Sequence, residues 1–134
     1  MSTSSAIGYK MSNGKVRAVY CHSDGHIEKN GKILLENYLE ARKVAQLIEL
    51  GDMYALEAEL ANCVFYDWAK GVKGNTVAIT LDSVGDFVAN FVPSSDYFYL
   101  LTTTGWIVST GQLNAEDNYP EFDYVETLLL PQAA

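Results

Sequence analysis

The sequence is short of the features that mark secreted, membrane-spanning and nucleic-acid-binding proteins. Its 134 residues include two cysteines, too few for a disulfide framework, which favours a reducing cytosolic setting. No apolar run approaches the ~20 residues that span a bilayer, and residues 1–6 lack the basic and apolar regions of a secretory signal. Lys and Arg total only nine and are not clustered, so a general DNA-binding protein is disfavoured.

The acidic residues lie mostly in the later part of the chain. The net charge is −8, divided as +2 over residues 1–50 and −10 over residues 51–134. Such a balance usually indicates a soluble protein with an acidic face. It would also suit a protein that imitates nucleic acid towards a basic partner. A small phosphorylated ligand stays compatible with it, because that ligand needs only two or three cations or backbone N–H groups.

Composition and patterning predict one α+β domain over residues 1–134. Apolar residues make up 49% of the chain, enough for a sizeable core. Two β-hairpins are predicted, at residues 6–21 around Asn13-Gly14 and at residues 97–110, in a mostly antiparallel sheet. Helices are predicted at residues 32–39, 41–50 and 120–130, a short helical piece at 52–60, strands at 63–66 and 76–81, and either a helix or a loop at 83–91.

The stretch from Tyr20 to His26 contains both histidines and one of the cysteines. Cys21 and His22 have the residue types of a thiolate–imidazole pair. Neighbouring residues of a strand point to opposite faces, however, so a structural cysteine is expected. The stretch matches no known metal-ligand spacing, and four ligands from so short a loop would strain a tetrahedral site. No metal and no cofactor are therefore predicted.

The rest of this stretch favours a turn over a catalytic site. Asp24-Gly25 is typical of a turn in which Asp accepts backbone N–H bonds and Gly takes a positive φ. No G-x-S-x-G stretch marks a serine nucleophile. An enzymatic alternative has His22 or His26 as a general base. A binding protein without catalytic residues is the preferred interpretation.

Aromatic residues are plentiful, with nine Tyr, five Phe and two Trp. On or beside strands they usually form a core and a subunit interface, but their π-faces can also stack on bases. The lysines of the glycine-containing loop after residue 66 could hold a phosphate, although a solvated hairpin loop is the commoner meaning. The candidate ligand-binding residues are Arg17, His22, Asp24, Tyr66, Trp68, Lys70, Lys73, Tyr99 and Trp106.

Four stretches of the chain carry a family resemblance. Residues 2–8 read S-T-S-S-A-I-G, residues 20–25 read Y-C-H-S-D-G, residues 31–38 read G-K-I-L-L-E-N-Y and residues 47–52 read L-I-E-L-G-D. They resemble a family of small phage and prophage proteins that commonly read S-T-R-S-x-I-G, then Y-C-H-W-D-G-Y, then G-x-x-L-L-x-x-Y. A tyrosine-led stretch near residue 66 and a Tyr/Trp hairpin at residues 97–108 extend the resemblance over most of the chain.

Two departures from the family pattern affect the candidate site. Ser23 stands where the family has Trp. The family's Y-H-R-D-R-G stretch is replaced at residues 66–71 by Y-D-W-A-K-G, which removes both arginines. If those arginines hold a phosphate in the family, that role is lost here or falls to Lys70, Lys73 or Arg17.

Within this resemblance the nearest group is the first type of Thoeris anti-defence proteins, small α+β oligomers that sequester cyclic nucleotide signals without cleaving them. The resemblance implies a phage-encoded homo-oligomer in the host bacterial cytosol that binds a nucleotide of the cyclic ADP-ribose type, with a pocket shared between subunits. Membranes and nucleic acid are not expected as partners.

The alternative interpretation is an acidic inhibitor of the anti-CRISPR or anti-restriction type. It would dock on a basic surface of a host defence nuclease through the carboxylates of the second half of the chain. The residues proposed for this are Asp82, Asp86, Asp96, Glu116, Asp117, Glu121 and Asp123.

Overall fold

The computed structural model describes residues 3–65 and 77–129. The strands among these residues are β1 (Ser5–Lys10), β2 (Val16–Cys21), β3 (Met53–Ala55), β4 (Val64–Phe65), β5 (Ile79–Leu81), β6 (Tyr97–Thr102), β7 (Gly105–Ser109) and β8 (Asp123–Tyr124). The α-helices are α1 (Lys32–Asn37), α2 (Ala41–Glu49), α3 (Val84–Phe91) and α4 (Val125–Leu129). A π-helical turn (Ile27–Gly31) leads into α1, and a 3₁₀ turn (Leu60–Asn62) precedes β4.

The strands form one mixed sheet, which confirms the predicted α+β class. Their order is β4-β3-β2-β1-β6-β7-β8, and β5 also pairs with β2. The pairs β1–β6 and β2–β3 are parallel, and the other pairs are antiparallel. Within the described parts of the chain, none of the helices has the length and apolar character needed to cross a bilayer.

Both predicted hairpins are present. Asn13-Gly14 joins β1 to β2, with Gly14 at a φ of +87° and the Asn13 side chain accepting a 3.0 Å hydrogen bond from the backbone N–H of Lys15. Gly105, at a φ of +122°, begins β7 after the turn from β6. Each turn needs a residue that tolerates the left-handed region, and glycine supplies it without steric cost.

The sheet separates two hydrophobic cores. Residues from α1, α2 and α4 pack on one face, with Tyr38, Tyr99 and Trp106 among the largest fully buried side chains. The other face is covered by α3 through Phe87, Val88 and Phe91. Alternation along β2 distributes its side chains between the two cores: Val16 and Ala18 face α3, whereas Val19 and Cys21 face the other helices.

The segment from residue 83 to residue 91 forms a helix and not a loop. Ser83 caps it, since its Oγ accepts a 3.1 Å hydrogen bond from the backbone N–H of Asp86. Such a cap stabilises a helix by about 1 kcal/mol. The cap and the burial of Phe87 and Phe91 outweigh the unfavourable helix propensity of Gly85.

The prediction of a short helical piece from Asp52 to Leu60 is wrong. Met53–Ala55 extends the sheet instead, because the backbone N–H of His22 donates to the carbonyl of Met53 at 2.9 Å. The Asp52 side chain caps no helix; its Oδ1 accepts a 2.9 Å hydrogen bond from the backbone N–H of Tyr20. Pairing with β2 has thus overridden a weak local helical pattern.

Two other predicted boundaries also need correction. The last helix begins at Val125 and not at Pro120, because Pro120 forms an isolated antiparallel bridge with Leu113 and β8 precedes the helix. The helix predicted at residues 32–39 ends at Asn37, and the π-helical turn Ile27–Gly31, which includes the buried residue Asn30, leads into it.

Candidate functional site

The loop that follows β2 is fixed between the N-terminal residues and β6. The backbone N–H of Gly25 donates to the carbonyl of Thr3 at 2.7 Å, and the Tyr99 hydroxyl donates to the carbonyl of Gly25 at 2.6 Å. A Cβ at Gly25 would lie 2.8 Å from the carbonyl oxygen of Ser4. Gly25 is therefore required for close backbone approach. The positive φ expected of it is taken by Asp24, at +59°.

Cys21 has a structural role in this loop. Asn30 is buried and its Nδ2 donates to the carbonyl of Ser23 at 3.0 Å and to Cys21 Sγ at 3.6 Å. Burial, the largest cause, raises the pKa of the Cys21 thiol to about 12. A thiol that stays protonated at neutral pH is a poor nucleophile. The prediction of a structural cysteine, separated from His22, is confirmed.

His22 lies between two tyrosines, and we call these three residues the tyrosine–histidine cluster (Tyr20, His22 and Tyr54). The Tyr20 hydroxyl is 3.1 Å from His22 Nδ1. The imidazole ring is 5.1 Å, centroid to centroid, from the Tyr54 ring at an interplanar angle of 41°. Tyr20 and His22 are half-buried, and Tyr54 is 39% exposed.

The cluster adjoins the core that α3 covers, against which Tyr20 is partly buried. Tyr20 follows Ala18 on the face of β2 that packs with α3, and Ile79 of β5, paired with Ala18, is 37% exposed. Burial raises the pKa of the Tyr20 phenol, so this group is neutral at physiological pH. The arrangement places two phenols and an imidazole side by side, and such groups together suit a planar heterocycle with polar edges.

Asp24 comes two residues after His22 and is exposed. Its carbonyl accepts a hydrogen bond from the backbone N–H of Asn30 at 3.1 Å. Among the described hydrogen bonds none ends on the Asp24 carboxylate, so the prediction that this side chain accepts backbone N–H bonds is wrong. The carboxylate is left facing solvent at the edge of the loop.

Arg17 is not brought to the cluster. It projects from the opposite face of β2, where its guanidinium binds both carboxylate oxygens of Glu49 at 2.7 and 2.9 Å and Thr80 Oγ1 at 3.0 Å. The hydrogen bonds to Glu49 raise the pKa of Arg17, and those from Arg17 lower the pKa of Glu49. The predicted phosphate contact of Arg17 is therefore replaced by a bidentate ion pair with Glu49.

Tyr99 and Trp106 belong to the core. Tyr99 is fully buried and Trp106 is 1% exposed, with its Nε1 donating to the carbonyl of Tyr38 at 2.8 Å. A ring enclosed on both faces cannot stack on a base, so the prediction that either residue forms a stacking surface is corrected. The remaining candidates, Tyr66, Trp68, Lys70 and Lys73, lie outside the described residues.

The sequence pattern did not identify Tyr20 and Tyr54 as site residues. Tyr20 could have been found from its place on the same face of β2 as Ala18, two residues before the motif histidine. Tyr54 gave no usable signal, because it lies in a three-residue strand whose neighbours read as a helix. Among the described residues no group of three or more His, Cys, Asp or Glu is arranged to hold a metal ion.

Comparison with known proteins identifies no relative of this chain. No protein-family model matches the chain, and neither a similar curated protein nor a similar solved structure was found. The resemblance to the phage and prophage family therefore stays a prediction. Any role for the tyrosine–histidine cluster has to be argued from its own contacts, exposure and chemistry.

Proposed function

We propose that this protein binds a nucleotide signal of the cyclic ADP-ribose class and sequesters it without cleaving it. The observation that carries the proposal is the half-exposed tyrosine–histidine cluster, which combines ring faces with hydrogen-bonding edges. Stacking of one base on an aromatic side chain contributes ~1–3 kcal/mol. In this proposal the protein is a phage anti-defence oligomer that acts in the cytosol of the host bacterium.

The cluster and the motif that carries the resemblance overlap. Tyr20 and His22 come from the Y-C-H-S-D-G stretch, and Tyr54 is brought beside them by the pairing of β3 with β2. The base would stack on Tyr54, while the Tyr20 hydroxyl and the His22 imidazole bind its polar edge. The burial and raised pKa of Cys21 favour binding over a covalent reaction at this loop.

The phosphates of the ligand need a separate set of contacts. Because Arg17 is bound to Glu49 on the other face of the sheet, Lys70, Lys73 and backbone N–H groups are proposed to fill this role. A pocket shared between subunits would add contacts from a second copy. Neither nucleic acid nor a membrane is proposed as a partner.

Calorimetric titration of the purified protein with cyclic ADP-ribose isomers and cyclic di- and trinucleotides tests the proposal. Replacing Tyr54 with Ala should raise Kd by roughly 5- to 150-fold, the equivalent of ~1–3 kcal/mol of stacking. Tyr54→Phe, which keeps the ring, should retain most of the affinity.

Tyr124→Ala is the matched control for this titration. Tyr124 is 46% exposed and belongs to β8, at the opposite edge of the sheet from β3 and β4. Its loss should leave Kd unchanged. If micromolar wild-type protein gives no heat with any of these nucleotides, the proposal fails. Unchanged affinity of Tyr54→Ala would place the binding site elsewhere.

A second candidate function, an inhibitor that docks on a basic surface of a host defence nuclease, is favoured by the charge of residues 77–129. This segment carries eight Asp and Glu residues and no Lys or Arg, and all eight carboxylate residues are exposed. Binding of such a partner should weaken steeply with salt. A purified nuclease that binds equally well after these carboxylates are neutralised would argue against this function.

A further inference from the structure

A groove runs between α3 and the segment that connects β7 to β8. Its volume is about 410 Å³, and its lining includes Val88, Ala89 and Val92 of the helical side with Leu113, Tyr119 and Pro120 of the connecting segment. Residues 85, 88, 89 and 92 share one helical face by their spacing. The groove shares no lining residue with the tyrosine–histidine cluster.

Three apolar residues that line the groove are largely exposed to solvent. Val92 is 50% exposed, Leu113 is 47% exposed and Tyr119 is 46% exposed. Scattered exposed apolar residues are ordinary, but several that line one concavity mark a binding surface.

The wall opposite the helix is held in place by its own backbone. Leu113 and Pro120 form a bridge, the backbone N–H of Asn114 donates to the carbonyl of Tyr119 at 2.7 Å, and that of Glu121 donates to the carbonyl of Gln112 at 2.9 Å. These bonds fix the backbone of this wall without a bound partner. A preformed groove avoids the entropic cost of ordering its walls on binding.

Charge decides which partner suits the groove. Asp86, Asp117 and Glu121 directly adjoin lining residues in sequence, and all three are exposed. The whole segment from residue 77 to residue 129 has no Lys or Arg to offset them. We call these three acidic residues the rim of the groove. Their negative charge repels an anionic nucleotide, whereas it attracts cationic groups that lie on either side of an apolar anchor.

We propose that the groove docks a basic amphipathic helix of a partner protein. One large apolar side chain of that helix enters between Val92 and Leu113, and its Lys or Arg residues face the carboxylates of the rim. This is the helix-in-groove mode of recognition, with anchors at helical spacing. The inference does not depend on nucleotide binding at the cluster, and it gives the second candidate function a defined surface.

Fluorescence anisotropy with a labelled amphipathic Leu/Lys peptide of about five helical turns tests this proposal on the full chain. The peptide should bind, and its affinity should fall as salt is raised. Two comparison peptides, one with Glu in place of Lys and one with Ser in place of Leu, should bind much more weakly. Equal binding of either comparison peptide would overturn the proposal, because charge and apolar contact are both required.

Two variants of α3 locate the contact. Ala89 lines the groove and Asn90 does not, and both are exposed. Ala89→Phe fills the groove and should weaken peptide binding by about tenfold or more, as expected when an anchor is lost. Asn90→Phe adds the same ring outside the groove and should leave Kd within about twofold. Equal effects of the two variants would refute the assignment.

A charge variant and a mass measurement complete the test. Asp86→Asn with Glu121→Gln should weaken binding at low salt and flatten its salt dependence. Sedimentation of wild type and Ala89→Phe shows whether the groove is instead occupied by a second copy; a dimer lost only in Ala89→Phe, without peptide binding, would overturn the proposal. Nucleotide titration of Ala89→Phe should match wild type, which separates this test from that of the proposed function.

Discussion

Replacing Tyr99 with Phe removes a single oxygen from the core and, with it, a hydrogen bond between β6 and the loop after β2. The Tyr99 hydroxyl donates a 2.6 Å hydrogen bond to the carbonyl of Gly25, and both residues are buried. Burial, the largest cause, raises the pKa of this phenol, so it remains a neutral donor. In Tyr99→Phe the carbonyl of Gly25 loses this donor, and the loop loses its hydrogen bond to the Tyr99 side chain.

The expected cost follows from leaving a buried acceptor without this bond, which is about 1–3 kcal/mol. Urea unfolding followed by circular dichroism measures it. With an m-value of about 1–3 kcal/mol/M, a loss of about 2 kcal/mol lowers the midpoint by roughly 0.7–2 M. Amide hydrogen exchange should also quicken at Gly25 and Asn30, whose N–H groups are bonded within the loop and to the N-terminal residues.

Tyr97→Phe provides the control. Tyr97 lies on the same face of β6, with its ring 6.3 Å from that of Tyr99. Its hydroxyl makes no hydrogen bond among the described residues, so its loss should change stability by less than about 0.5 kcal/mol. Equal stability of Tyr99→Phe and Tyr97→Phe would refute the assignment of Tyr99 as the residue that anchors the loop.

Three further predictions concern β2, the loop that follows it and the ion pair between Arg17 and Glu49. Gly25→Ala should destabilise the fold by about 1–3 kcal/mol in urea unfolding, because its Cβ would meet the carbonyl oxygen of Ser4 at 2.8 Å; stability equal to wild type would contradict this packing. Peptide mapping after iodoacetamide treatment at pH 8 should find Cys21 unmodified in folded protein and modified in urea, and rapid labelling of native protein would count against its burial. Glu49→Gln should cost less than about 1 kcal/mol at neutral pH, since its ion pair with Arg17 is partly exposed. As the pKa of Glu49 is lowered by that pair, the cost should vanish as pH falls through the lowered value; a pH-independent difference would exclude the ion pair as its cause.

Local signals in the sequence accounted for much of the sheet. Asn13-Gly14 and the flanking alternation predicted the first hairpin, and the opposed faces of Cys21 and His22 followed from strand geometry. The role of Gly25 could not be inferred in this way. Its need for a small residue arises from Ser4, a contact across the fold that local periodicity does not contain.

The candidate site was less accessible to sequence reasoning for a similar reason. Aromatic residues on strands, such as Tyr99 and Trp106, suit either a core or a binding surface, and only the helices packed over them decide between the two. The local pattern around Arg17 does not reveal its ion pair, because its partner Glu49 lies 32 residues away. No local signal marks Tyr54, because its strand exists only through pairing with β2.

Sequestration without cleavage can be tested most directly by recovery of the ligand. Protein in excess is mixed with a cyclic ADP-ribose isomer, the unbound fraction is separated by filtration, and the protein is then denatured and the released material is weighed by mass spectrometry. We expect the nucleotide to disappear from the filtrate and to return after denaturation with its mass unchanged. A filtrate that keeps all of the nucleotide would contradict binding, and a released product heavier by one water would contradict sequestration without cleavage.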